Sequence, residues 1–356
     1  MLEVYISDKT LEKICLESPD SSLGKILSKQ SVIYISEENP DQLLDETGVL
    51  WQIEMAGVHL EPSTAFIQDV ISGSKSISEK PFGVFILDIE PQKALKMQRE
   101  NGVICMSSDK IDDDILTLID PCTKVYAEGE KGKWSEVLVG VKSGSFVSNS
   151  IIINDRNLFA NDRQLTNSHT GEKYDDTAGI DNIAAILDEI IPNELGVPYH
   201  VAILCDYECV KTTNGLTHKS VAEKINKIKK KLNRTFPIEI EIVFIKDGDN
   251  RITAPTHNRR IISNYFILRA DHKICAFKSG ISLCGQNVSI DKLYSRGLFD
   301  KSDPPAKDHK MSVMQYRLIR QFLLEYEGRG IGSTYYTFRQ NGQEKPITEL
   351  KNRLLI

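Results

Sequence analysis

Residues 81–114 read PFGVFILDIEPQKALKMQRENGVICMSSDKIDDD, and they restrict the fold more than any other part of the chain. An apolar run at 82–87 ends in Asp88, and a second at 103–106 leads to Asp109. Between them Pro91 suits the first position of a helix, and Asn101-Gly102 supplies a left-handed stop. Antiparallel neighbours can be joined by a hairpin, whereas parallel strands need a crossover, most often a helix. The segment therefore predicts strand, short helix, strand in a compact parallel sheet.

The same logic organises the rest. Residues 2–8 and 32–36 read as strands, TLEKICLE as a helix opened by Thr10, and 43–55 and 63–71 carry helical spacing. The stretch AEGEKGKWSEVLVGVKSGS, with its scattered Gly and Lys, reads as an irregular hairpin linking two domains. Beyond it a strand ends in Asn154-Asp155, followed by a polar loop at 161–177 and an amphipathic helix stopped by Pro192. Then come a strand at 199–206, a helix at 216–232 and a strand at 238–245. RRIISNYFILRA and KICAFK read as a pair of strands joined at Asp271-His272, and 311–327 reads as a helix. The expectation is an α/β chain of two α/β domains, 1–140 and 145–330, with a polar C-terminal extension at 331–356.

No apolar run is long enough to span a bilayer, so no membrane association is expected. The N-terminus begins on a strand-like segment without a basic n-region. The seven cysteines include several inside apolar strands, and Cys205 and Cys209 lack a second pair to complete a zinc site. Together these features predict a cytoplasmic protein with reduced thiols. A net charge of −6 argues against a simple duplex-binding protein, which carries a basic excess. There is no Walker loop, GxGxxG or GxSxG elbow, so nucleotide hydrolysis, dinucleotide binding and serine-hydrolase chemistry are not expected.

Asp8, Asp88 and Asp109 each follow an apolar run. In a parallel sheet such strand ends lie side by side, and hard oxygen ligands gathered there suit Mg²⁺ or Mn²⁺. The competing reading is ordinary: Asp after a strand commonly caps a helix or solvates a loop. With an Asp after the first strand, one heading a helix and one after the next strand, residues 1–125 resemble the PIN-like nuclease fold. The resemblance implies Asp8, Asp88 and Asp109 as catalytic metal ligands, Asp113 as a fourth, and a helical acid for which Glu46 and Glu54 both remain open.

In the second half, TAPTHNRRIISNY places His257, Arg259 and Arg260 at the start of a strand. Together with IIINDRNLF this resembles a phospholipase D-like domain. The catalytic version needs His-x-Lys and a downstream Asp, but here Arg259 and Asn264 stand at those positions. Arginine clamps phosphate without giving up its proton, so the resemblance implies phosphate binding and not catalysis. The helix at 216–232 buries Val221, Ile225, Ile228 and Leu232 and turns Lys227, Lys230 and Lys231 outward. That face contacts a phosphate backbone or is simply solvated.

A nuclease-like domain joined to a degenerate phosphate-binding one resembles components of prokaryotic defence or toxin-like systems. The expected function is a metal-dependent nuclease acting on RNA or single-stranded nucleic acid and held by a protein partner. The alternative is a non-enzymatic docking or sensor subunit of a larger defence assembly.

Overall fold

The first apolar run forms β1 (Leu2–Ser7) and passes without a loop into α1 (Asp8–Glu17). Ser7 Oγ accepts the Thr10 N–H at 3.3 Å, so the helix is capped from the last strand residue and opens at Asp8, earlier than Thr10. Then follow β2 (Ser31–Ser36), α2 (Val49–Met55), β3 (His59–Pro62), α3 (Thr64–Ser72), β4 (Gly83–Leu87), α4 (Pro91–Asn101) and β5 (Ile104–Ser107). Pro91 occupies the first helical position of α4, and Gly102 ends it at φ +61°. The computed structural model describes residues 2–17, 27, 31–36, 48–55, 59–111, 147–160, 163–166, 168, 170–171, 173–176, 178–210, 217–246, 259–270, 274, 277–278, 282–283, 288–292, 304–327 and 336–356.

The first five strands form one parallel sheet, sheet A, in the order β3-β2-β1-β4-β5. Leu11 and Ile14 of α1 and Leu50 of α2 cover one face, packing on Val4, Ile6, Ile33, Ile35 and Ile86. Ile67 and Val70 of α3 and Ala94 of α4 cover the other, against Tyr5, Phe85, Leu87 and Cys105. Tyr34, Tyr5 and Phe85 stack across three adjacent strands at centroid distances of 4.8 and 4.5 Å.

The second unit contains β6 (Ser150–Asn154), β7 (Arg163–Thr166), β8 (Lys173–Asp176), α5 (Ala178–Ile190), β9 (Tyr199–Asp206), α6 (His218–Lys231), β10 (Ile238–Ile245), β11 (Arg260–Ser263) and β12 (Phe266–Ala270). It continues with β13 (Phe277–Lys278), β14 (Ser282–Leu283), β15 (Val288–Lys292), α7 (Pro304–Glu327), β16 (Tyr336–Gln340) and β17 (Gln343–Glu344). Sheet B is mixed and eight-stranded, in the order β15-β12-β11-β6-β9-β10-β16-β17, with β6, β9 and β10 parallel. Ile183 and Leu187 of α5 and Val221, Ile225 and Ile228 of α6 bury one face. Tyr316, Ile319 and Leu323 of α7, with Ile347, Leu350, Leu354 and Leu355 from the chain end, bury the other.

Three local expectations change. RRIISNYFILRA is not one strand but a hairpin, β11 and β12, turning at Asn264-Tyr265 because the Ser263 hydroxyl accepts the Tyr265 and Phe266 N–H groups. The polar loop at 161–177 holds the antiparallel pair β7-β8. Residues 336–356, set apart as an extension, are built into sheet B: β16 pairs with β10, and the last residues lie beneath β6, β9 and β10. The 127–145 link lies outside the described residues. Among the described residues no helix is long and apolar enough to cross a membrane.

Candidate functional site

Sheet A reverses its direction of growth at β1, with β2 and β3 on one side and β4 and β5 on the other. In open parallel sheets the crevice beyond the carboxyl ends of the two strands at such a reversal is the usual ligand position. Here those strands are β1 and β4, followed by Asp8 and Asp88. Ile6 pairs with Ile86, so Asp8 and Asp88 both stand two residues past the same rung. Adjacent strands lie about 4.8 Å apart, which makes these two residues neighbours along the sheet edge.

Hydroxyl groups at the start of α1 hold Asp88. Ser7 Oγ donates to Thr10 Oγ1 at 2.8 Å, and Thr10 Oγ1 donates to Asp88 Oδ1 at 3.3 Å. Asp8 is only 2% exposed; its Oδ1 accepts the Lys9 N–H at 2.7 Å, at the positive end of α1. Asp88 is exposed. This stretch of the sheet edge is oxygen-rich, with one buried and one accessible carboxylate.

Asp109 follows β5, two strand spacings from β1, or roughly 10 Å. It is exposed, and its N–H is held by Ser107 Oγ at 3.3 Å in a short 3₁₀ turn. Glu54 is exposed on α2, and Asp113 and Glu46 lie outside the described residues. Among the described residues no three His, Cys, Asp or Glu side chains come together as a metal-binding group. The set therefore reduces to Asp8 and Asp88. Two carboxylates still fit Mg²⁺, which is commonly held by one or two of them together with waters and substrate phosphate.

The phosphate-binding residues expected in the second unit do not form one patch. Arg259 Nε lies 3.8 Å from Oδ1 of fully buried Asp155, so its guanidinium serves an internal carboxylate. Arg260 pairs in register with Asn154, at the carboxyl end of β6. His257 lies outside the described residues. α6 starts just past the carboxyl end of β9 and runs back toward the amino end of β10, so Lys230 and Lys231 sit at the opposite sheet edge from Arg259. Lys227, Lys230 and Lys231 are exposed on its outer face. Asn264, standing where a catalytic Asp would fall, is buried: its Oδ1 accepts the Asn149 and Ser150 N–H groups at 3.1 and 3.2 Å.

Two polar groupings were missed at the sequence level. One, at the carboxyl ends of β6 and β9, ties Arg156 Nε to Asp206 Oδ2 at 2.7 Å and caps the turn at Glu208 through Asp206 Oδ1. The other is a buried polar set on neighbouring strands, Ser150 paired with His200, and Glu241 two residues past the β10 partner of His200, met by the chain end. Glu241 accepts the Lys351 and Asn352 N–H groups at 2.7 and 3.0 Å, and His200 Nδ1 donates to the Lys351 carbonyl at 2.6 Å. Burial pushes Glu241 up to about 7, against the pull of its two backbone N–H partners. Burial, helped by Arg353, takes His200 down to about 4. Asp206, closing the strand read at 199–206, was a visible signal for the first grouping; scattered polar residues gave none for the second. No protein-family model matches the chain, and no curated protein matches it.

Proposed function

We propose that the chain is a metal-dependent nuclease-like protein whose site is the crevice between β1 and β4. The observation that carries this reading is the placement of Asp8 and Asp88 past one rung at the reversal point of a parallel sheet, with Asp88 bonded to Thr10 of the helix that Asp8 opens. Asp8 and Asp88 would hold Mg²⁺ or Mn²⁺. When bound, such an ion lowers the pKa of a water and polarises a phosphodiester. Thr10 holds the exposed Asp88 carboxylate at the start of α1, and Ser7 donates to the Thr10 hydroxyl. Exposed Lys227, Lys230 and Lys231 offer a separate face to the backbone of RNA or single-stranded nucleic acid. By architectural analogy we extend this reading to an effector in a prokaryotic defence or toxin-like system with a protein partner.

The test is cleavage of a labelled single-stranded RNA in Mn²⁺ by wild type and Asp88→Asn. The expected result is cleavage by wild type and none by the variant, with unchanged circular dichroism. Equal cleavage by both contradicts the assignment. A second reading, a docking subunit without catalysis, is favoured by one observation: Arg259, at the position of a catalytic Lys, stands beside the buried Asp155 carboxylate. A wild-type protein that cleaves nothing in Mn²⁺ yet binds a cognate protein would select it.

A further inference from the structure

Tandem domains ordinarily move relative to one another unless a large, well-packed interface prevents it. Here the β11-β12 turn is set into sheet A. Tyr265, 1% exposed, belongs to the apolar cluster formed by Val4, Val84, Ile86 and Ile104. Its hydroxyl donates to the Gly83 carbonyl at 2.7 Å and accepts the Ile104 N–H at 3.1 Å, bridging the first residues of β4 and β5. Beside it, Asn264 Nδ2 donates to the Pro81 carbonyl at 2.6 Å and to Asn149 Oδ1 at 3.0 Å. Asn149 Nδ2 in turn donates to the Asn101 carbonyl at 2.8 Å. Phe82 packs on the α7 face of sheet B, where the Arg317 guanidinium stands 5.6 Å from its ring. Three consecutive residues, 81–83, are thus gripped from the second unit.

We propose that the Asn264-Tyr265 turn is a pin that makes the two sheets a single cooperative unit, with sheet A unable to complete its core without Tyr265. The inference is independent of the chemistry at Asp8 and Asp88. It runs against the usual independence of tandem domains because the buried polar groups on both sides satisfy one another. Pulling the sheets apart would break the bonds to the Pro81, Gly83 and Asn101 carbonyls and the Ile104 N–H together, so no contact is lost singly.

The test is equilibrium urea unfolding of the full chain in a Trp134→Phe background, where Trp51 of α2 is the remaining tryptophan and reports on sheet A. Far-UV circular dichroism reports on both sheets. The two transitions should coincide in the otherwise unaltered chain. Tyr265→Phe, which keeps the ring, should shift both together to lower urea. Tyr265→Ala should split them, with the Trp51 transition moving first. Separate transitions before Tyr265 is changed, or coincident ones in Tyr265→Ala, would overturn the proposal. If Tyr265→Ala does not fold, native-state hydrogen exchange on the unaltered chain decides. Amides of β4 and β10 exchanging through the same opening support the pin, and β4 opening at much lower free energy overturns it.

Discussion

Gly102 shows how one residue serves two levels of structure. Its φ of +61° ends α4, the role the Asn101-Gly102 pair announces in the sequence. Its second role depends on a partner far along the chain: a Cβ there would stand 2.5 Å from the Ser148 carbonyl oxygen, which belongs to the second unit. Gly73 has a similar φ of +86° but open space around it. Gly73→Ala should therefore cost only the left-handed penalty, about 1–2 kcal/mol. Gly102→Ala should cost clearly more, because backbone must move and the seam between the sheets opens. Urea midpoints of the two variants measure the difference; equal losses would mean that the close approach to Ser148 is readily relaxed. Asn264 teaches the same lesson in reverse. Compared position by position with a catalytic motif it reads as a lost Asp, yet its buried amide holds the junction. Spacing along the chain reveals residue type but not which backbone groups lie across a seam.

Among the elements, those with strong periodicity or paired stop signals were legible: β4, α4 and β5 follow from Pro91 and Gly102, and α6 from its buried stripe. The β11-β12 hairpin was missed because an apolar run with a short polar interruption reads as one strand, although Ser263-Asn264 is a turn signal. The chain end was missed for a different reason. It has no regular period, since Ile347, Leu350, Leu354 and Leu355 enter the core while the intervening backbone satisfies Glu241 and His200. That arrangement has a pH signature. Glu241 ionises higher in the folded chain than its ordinary 4.5, so its contribution to stability falls as pH rises from 4.5 to about 7. His200 protonates lower than its ordinary 6.5, so its contribution is lost as pH falls from 6.5 to about 4. The two slopes oppose each other in wild type. Glu241→Gln should gain stability relative to wild type as pH climbs from 4.5 to 7, and His200→Asn should lose it from about 4 to 6.5. Urea midpoints across that range would show it, and parallel profiles for all three proteins would mean that neither group titrates against the chain end.

For the whole molecule, the sequence indicates two α/β units but not how they are joined, because strand order and seam contacts depend on tertiary pairing. Sheet order also decides which expected site residues can meet. Asp8 and Asp88 fall on adjacent strands, Asp109 falls one strand further, and the phosphate-binding candidates divide between opposite edges of sheet B. The candidate site is therefore narrower than the sequence pattern: an acidic pair at the reversal point after β1 and β4, with the first residue of β4 held from the second unit. Calorimetric titration of Mn²⁺ into wild type and Asp8→Asn/Asp88→Asn tests this claim most directly. The account predicts saturable binding by wild type and affinity weakened at least about tenfold in the double variant. No binding to wild type, or equal binding to both proteins, would contradict it.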